Sequence, residues 1–121
     1  MDSPKLMTVA ETSVFRRKAS ELLDEEEHNA LIDFLADNPE AGDLIRGSGG
    51  VRKVRWAMPG RGKSGGVRVI YYFYSEEMPL WLLTLFAKNE QANLSDEEVN
   101  ALARLVAAFK EELRRKKERE S

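Results

Sequence analysis

The stretch that decides the fold is VRKVRWAMPGRGKSGGVRVIYYFY, residues 51–74. It begins with a run over roughly residues 51–58 in which cations alternate with apolar residues. It ends with Val67–Tyr74, which is dense in β-branched and aromatic residues. Both patterns are typical of β-strands. The segment between them contains a proline and four glycines, which predict a loop: Pro59, Gly60, Gly62, Gly65 and Gly66. The stretch therefore predicts a β-hairpin.

The same hairpin carries the positive charge of an otherwise acidic chain. Residues 1–45 hold eleven acids and four bases, whereas residues 46–74 hold seven cations and no Asp or Glu. The net charge of -2 conceals this division, and a focused anion site is compatible with it. The seven cations are Arg46, Arg52, Lys53, Arg55, Arg61, Lys63 and Arg68.

The chain before the hairpin has helical periodicity. Apolar spacing from Ser13 predicts a first helix, and Asp24 followed by Glu27 is a capping-box pattern that predicts a second. Pro39 ends the second helix, because the residue before a proline disfavours the helical conformation. We therefore expect a helical hairpin over residues 13–38.

Three further elements complete the predicted order. Leu6–Val9 predicts a short edge strand, and Leu80–Ala87 predicts a strand that is apolar on both faces. Ser95–Glu98 is a capping-box pattern that opens a long C-terminal helix, whose charged tail, Arg114–Glu120, we expect to fray.

This order predicts an α+β fold, because sequential strands with short connections usually pair antiparallel. We expect a small antiparallel sheet with an N-terminal helical hairpin and a C-terminal helix packed on it. The helices are expected on one face of the sheet, although the apolar strands indicate that at least one strand is covered on both faces. We expect a single domain over residues 1–121, frayed from about residue 114.

Several classes of protein are excluded or disfavoured. The 121 residues contain no cysteine, so disulfides and thiolate chemistry are excluded. There is no secretory signal pattern and no run of about 18 apolar residues. We expect a cytoplasmic protein with no membrane partner. His28 has no partner histidine or cysteine, so we interpret it as a surface residue and expect no metal site and no cofactor.

One motif resembles a nucleotide-binding loop and fails the test of its context. The segment Gly60–Ser64, GRGKS, looks like the end of a P-loop. The full pattern needs a glycine five residues before Gly62, where this chain has Ala57, and a helix after Ser64, where it has a predicted strand. The sequence therefore argues against a nucleotide site.

The cations of the hairpin predict a phosphate site instead. Arg68 interrupts an apolar strand, where an unpaired arginine is costly to bury, and a guanidinium can bond two phosphate oxygens at once. Lys53 and Arg55 stand two residues apart and share a strand face. Lys88 follows the last predicted strand, where it can close the pocket. For each cation the alternative is a solvated or ion-paired surface residue.

The hairpin contains no histidine and no acid, which constrains any RNA chemistry there. It favours charge stabilisation over a histidine acid–base pair. A cationic pocket would hold the scissile phosphate while a lysine protonates the leaving oxygen, and the ribose 2′-OH is the natural nucleophile. Tyr72 is a candidate for holding a proton, although aromatic residues more often pack in small cores.

Five segments together resemble the HigB branch of the RelE/ParE toxin superfamily, over about residues 5–113. The resemblance implies a compact α+β toxin that cuts mRNA in the ribosomal A site, needs no metal and is neutralised by a cognate antitoxin. The ribosome, mRNA and antitoxin would then be its partners. The segments are Val51–Trp56, Gly60–Gly66, Gly66–Tyr72, Leu82–Glu90 and Leu94–Glu98.

The resemblance, added to the residue patterns, yields a set of predicted site residues. The C-terminal tyrosine of RelE relatives has no match after Lys88. A ParE-like toxin that inhibits gyrase and a non-catalytic ribosome- or RNA-binding module are the alternatives, because a shared fold leaves function to the site. The predicted catalytic residues are Arg68, Lys63, Arg55, Lys88 and Tyr72, and the predicted RNA-binding residues are Arg61, Lys53 and Arg52.

Overall fold

A computed structural model describes residues 7–57 and 66–120 of the chain. None of the described helices is both long and apolar enough to cross a membrane. The described residues form five strands and three helices in the order β1 (Val9–Glu11), α1 (Ser13–Leu22), α2 (Glu25–Asp37), β2 (Asp43–Leu44), β3 (Val51–Trp56), β4 (Val67–Tyr72), β5 (Leu80–Ala87) and α3 (Asp96–Glu120).

Both N-terminal helices begin where the sequence predicts. Thr12 is the N-cap of α1, and its side chain accepts a hydrogen bond from the amide of Phe15 at 3.0 Å. The capping box of α2 is present, with the Asp24 side chain accepting from the amide of Glu27 at 2.7 Å and the reverse bond at 3.0 Å. Asn38 caps the end of α2. These bonds satisfy backbone groups that helix ends leave unpaired.

The strands form one sheet in the order β1-β5-β4-β3-β2. The β3–β4 pair is antiparallel, which confirms the predicted hairpin. The expectation of an entirely antiparallel sheet is wrong at one edge, where β1 runs parallel to β5. No short turn joins these two strands, so none dictates their relative direction. The edge strand spans Val9–Glu11, later than the predicted Leu6–Val9, and the described residues 7 and 8 precede it. Positions 6 and 58, at the ends of two predicted strands, lie outside the described residues. The sequence did not predict the two-residue β2.

Helices pack on both faces of the sheet. One apolar cluster joins α1 and α2 to β4 and β5, with Phe15, Leu35 and Tyr71 fully buried. A second cluster joins α3 to the other face and includes Ile70 and Val106. The α+β class is confirmed, but the expectation that all helices share one face is wrong. Strands that are apolar on both faces, as β4 and β5 are, need a covering layer on each side.

Helix α3 continues to Glu120, where the sequence predicted a frayed tail. Ion pairs between residues three or four apart line its last turns, including Arg114 with Glu111. Each such pair stabilises an exposed helix by roughly 0.2–0.5 kcal/mol. Lys117 also pairs with Glu77, in the turn between β4 and β5. The charged tail is therefore bonded along the helix and to the sheet.

The sequence suggested that His28 is a surface residue, but in the structure its side chain has specific partners. Its Nε2 contacts the carboxylate of Glu11, which also lies 3.5 Å from Nε of Arg16. The imidazole ring packs edge-on against Phe15, with ring centroids 5.9 Å apart. His28 thus ties α2 to the end of β1.

We expect Gly66→Ala to destabilise the fold more than a positive φ alone explains. Gly66 has a φ of +63°, and left-handed backbone costs an L-residue about 1–2 kcal/mol. A methyl group there would also collide with the carbonyl oxygen of Trp56 and with Ala57. Urea denaturation should show a larger loss in unfolding free energy than Gly47→Ala, a control with φ of +79° and open space around the added carbon. Equal losses would contradict this steric account.

Candidate anion-binding site on the sheet

Three cations of the hairpin, Lys53, Arg55 and Arg68, lie on the sheet face that α3 partly covers. Val51 of β3 and Ile70 of β4 both belong to the α3 cluster. Side chains two apart along a strand share a face, so Lys53 and Arg55 lie on this face of β3. Arg68 lies two residues before Ile70 along β4, so the two side chains share the α3 face of the sheet. The geometry that the sequence predicts for these three cations is present.

Arg55 and Arg68 stand directly opposite each other in the β3–β4 pair. The C=O of Val51 accepts from the amide of Ile45, and its N–H donates to Ser48. Both groups point away from β4. Val51, and with it every second residue of β3 including Arg55, therefore forms a narrow, non-hydrogen-bonded pair with its partner in β4. Side chains in such pairs have Cβ atoms about 4.5–5.5 Å apart. The two arginine side chains therefore leave the sheet as direct neighbours on one face, and their guanidinium groups are long enough to reach a common anion.

Of the other predicted cations, Lys88 belongs to the same end of the sheet. Lys88 directly follows β5, and its amide donates to the carbonyl of Gly66 at 3.4 Å, beside the start of β4. Its side chain is exposed. Arg61 and Lys63 belong in sequence to the loop between β3 and β4, and they lie outside the described residues.

Asn93 contacts this region although its sequence carries no signal for it. Its Oδ1 accepts a hydrogen bond from Nζ of Lys53 at 3.4 Å, and its carbonyl accepts from the Gln91 side chain at 3.0 Å. Gln91 also reaches the carboxylate of Glu98, which caps the start of α3. These bonds tie Lys53 to the first turn of α3. Because an asparagine in a polar loop has no periodicity, only the fold reveals this contact.

Arg52 lies on the opposite face of β3, away from the other cations. Its Nη1 donates to the carbonyl of Gly42 at 2.7 Å and to that of Glu40 at 3.2 Å, and its Nη2 lies 3.6 Å from the Glu40 carboxylate. The side chain is 16% exposed. The RNA-binding role of Arg52 stays a prediction, and in this structure its two terminal nitrogens hold the turn before β2 against β3.

Tyr72 lies in the core, although it shares a sheet face with Arg68. It stands four residues further along β4, opposite Val51, and its side chain is 2% exposed. Burial, with a smaller effect from the neighbouring Tyr74, raises the pKa of Tyr72. A phenol that is shielded from solvent and held protonated is a poor proton acceptor. We therefore leave Tyr72 out of the site.

A surface cavity of about 600 Å³ lies far from these cations. It is found beyond the other end of β4, and Met7, Phe73 and Met78 line it together with the acids Asp37 and Glu76. Carboxylates repel a phosphate, so this cavity does not suit an anion. Within residues 7–57 and 66–120, no group of three or more His, Cys, Asp or Glu side chains is placed to hold a metal ion.

Fold and site together define a small α+β protein with a cationic patch at one end of a sheet. The family model described as the RelE toxin of the RelE/RelB toxin–antitoxin system matches residues 7–119. The chain belongs to this RelE toxin family. Among solved structures, an arginine-to-alanine double variant of the E. coli toxin RelE in the free state is similar, with a TM-score of 0.50. The two are 17% identical over 82% of this chain and 95% of that chain, a likeness of fold.

We expect Tyr71→Phe to destabilise the protein by about 1–3 kcal/mol, the usual cost of leaving buried polar groups unpaired. The fully buried Tyr71 hydroxyl accepts from the amide of Gly42 at 2.8 Å and donates to the carbonyl of Pro39 at 2.9 Å. Urea denaturation measures the loss. Tyr74→Phe is the matched control, because Tyr74 is 47% exposed, and we expect a change within about 0.5 kcal/mol. An unchanged midpoint for Tyr71→Phe would show that the turn does not depend on these bonds.

Proposed function

We propose that this chain is the toxin of a type II toxin–antitoxin pair and cleaves mRNA on the translating ribosome. Its partners are then the ribosome, mRNA and a cognate antitoxin, and it acts in the cytoplasm. Membership of the RelE toxin family supports the toxin role. The chemistry of the sheet supports the choice of RNA as the target.

The observation that carries this proposal is the in-register pair of Arg55 and Arg68. Like charges placed directly opposite each other in a sheet destabilise it. Two guanidinium groups side by side also provide a fork of donors that matches the oxygens of a phosphate. Lys53 adds a third positive charge on the same face, two residues along β3 from Arg55. The three cations therefore present their donors on one face of the sheet, where a single phosphate group can reach them.

In the proposed reaction, the ribose 2′-OH loses its proton to solvent water as its oxygen bonds to the adjacent phosphorus, and the bond from phosphorus to the next 5′-oxygen breaks. Negative charge grows on the non-bridging oxygens in the transition state, and Arg55 and Arg68 donate N–H groups to them. Lys88, exposed at the strand end, donates a proton to the departing 5′-oxygen. Lys53, held by Asn93, binds a flanking phosphate.

The loop between β3 and β4 supports placing the chain in the HigB branch of the family. Its sequence from Gly60 to Gly66, GRGKSGG, adds two cations between the two strands that carry the arginine pair. We propose that Lys63 takes part in catalysis and that Arg61 binds the mRNA backbone. Phosphate contacts of this kind add affinity that falls with salt.

We expect Arg68→Ala and Arg55→Ala each to slow cleavage of ribosome-bound mRNA by about 10²–10³-fold, the usual effect of removing one preorganised donor to a developing oxyanion. The double variant should lose less than the product of the two single losses, because the arginines act on one phosphate. Single-turnover cleavage on programmed ribosomes measures each rate. Arg17→Ala is the matched control, since Arg17 is an exposed arginine on α1, and its rate should equal that of the unmodified chain.

Stability measurements separate loss of chemistry from loss of fold. Arg55→Ala removes a like-charge contact, so we expect its melting temperature to be unchanged or higher. Mapping mRNA 5′ ends after induction in cells tests the target. Intact transcripts with accumulating double-strand DNA breaks would contradict the proposal and favour a gyrase-inhibiting toxin. Intact mRNA with stalled translation and no DNA breaks would favour a non-catalytic ribosome-binding module.

A further inference from the structure

Strand β3 extends beyond its outer neighbour in the sheet. β2 pairs only with Arg52 and Lys53, whereas β3 continues to Trp56. Among the described residues, no strand lies beside Val54, Arg55 or Trp56 on that side. Unpaired backbone groups along a sheet edge are a template for another strand. We call these three residues the β3 edge.

The open backbone groups of the β3 edge belong to Arg55. The C=O of Val51 accepts from the amide of Ile45 at 2.8 Å and its N–H donates to Oγ of Ser48 at 2.9 Å, so both point away from β4. Backbone groups alternate in direction along a strand. Arg55 is four residues further on, so its N–H and C=O also point away from β4. Within the described residues neither group has a partner.

The two faces beside the β3 edge differ in chemistry. Arg55 and Lys53 stand on the α3 face. On the other face Trp56 is half-buried and packs against Phe34 of α2, with ring centroids 5.5 Å apart, and Phe34 is 36% exposed. A strand laid along this edge would therefore meet cations with every second side chain and an aromatic surface with the others.

We propose that the β3 edge docks an extended segment of a protein partner, with acidic residues at alternate positions and apolar residues between them. The acidic side chains face Arg55 and Lys53, and the apolar ones face Trp56 and Phe34. Backbone hydrogen bonds to Arg55 provide affinity, and the alternating side chains provide specificity. Charge complementarity selects acidic segments over basic ones. The docking is inferred from the β3 edge alone. The identification of the partner as the antitoxin rests on the proposed function.

Such docking would also control the arginine pair. A carboxylate opposite Arg55 lies one strand spacing from Arg55 and two from Arg68, and it competes with a phosphate for the Arg55 guanidinium. The segment therefore inhibits by occupying the charge that the RNA needs. It does so without unfolding any part of the sheet.

A synthetic peptide tests the docking on the full chain. The probe is a short peptide of alternating Glu and Val, added to the ¹⁵N-labelled protein, with amide hydrogen exchange followed by NMR. We expect exchange at the Arg55 amide to slow by at least about tenfold at saturating peptide. A Lys–Val peptide of the same length should leave the Arg55 amide unprotected. Protection by both peptides would overturn the charge selection.

Backbone methylation then separates strand pairing from side-chain binding. Only alternate amides of a strand face its neighbour. Methylating either the Glu nitrogens or the Val nitrogens should weaken binding by at least about tenfold, while methylating the other set leaves it unchanged. Equal effects of the two patterns would overturn strand docking.

Two further outcomes would overturn the proposal. One is unchanged exchange at the Arg55 amide at saturating Glu–Val peptide. The other is a uridine oligomer that slows this exchange more than the peptide does, which would assign the β3 edge to RNA. The assay contains no ribosome and no mRNA. A failure of the cleavage proposal therefore leaves the docking result intact, and the reverse also holds.

Discussion

The in-register pairing of β3 with β4 places Arg55 opposite Arg68, and apolar packing of the same hairpin fixes that register. Six consecutive residue pairs join the strands, from Val51 opposite Tyr72 to Trp56 opposite Val67. The pair at one end is buried between the sheet and α3. A slip of one residue would turn every side chain to the other face and expose the core. Apolar packing at one end of the hairpin thus fixes the positions of Arg55 and Arg68 at the other.

The two faces of the sheet differ in how completely helices cover them. Helices α1 and α2 cover one face closely, and on that face Arg52 and Tyr71 are bonded to the turn before β2. α3 lies on the other face, where Val106 is its one fully buried residue among those described. It covers the end of the hairpin at Tyr72 and leaves Arg55 exposed. The uneven cover explains how one strand can supply both a core and a charged surface.

Much of this could be predicted from the sequence, since it depends on local pattern. Capping boxes at Asp24 and Ser95, the hairpin and the shared face of Lys53 and Arg55 all follow from short-range spacing. The direction of β1 does not, because its partner β5 lies about 70 residues away in sequence and no turn links them. The sequence indicated the helices on both faces only indirectly, through strands that are apolar on both sides and therefore need cover on each.

The site was predictable in its cations and not in their individual roles. Alternation along β3 separates Arg52 from Lys53 and Arg55, but only the fold shows that Arg52 is bonded to Gly42 and Glu40. Likewise, only the fold shows that Tyr72 is buried in the core and so cannot reach the cations. A sequence run of four aromatics indicates that some are buried and does not say which. Burial and partners are tertiary properties, and these two residues show where pattern alone stops.

NMR titration of the arginine side chains tests the central claim most directly. The full chain, ¹⁵N-labelled at arginine, would be titrated with a 2′-O-methyl RNA oligonucleotide, which binds and cannot be cleaved because its 2′-oxygen is blocked. The account predicts that the Nε–Hε signals of Arg55 and Arg68 shift together with one dissociation constant, while those of Arg52 and Arg17 stay in place. Separate constants for Arg55 and Arg68, or a shift confined to Arg52, would contradict it.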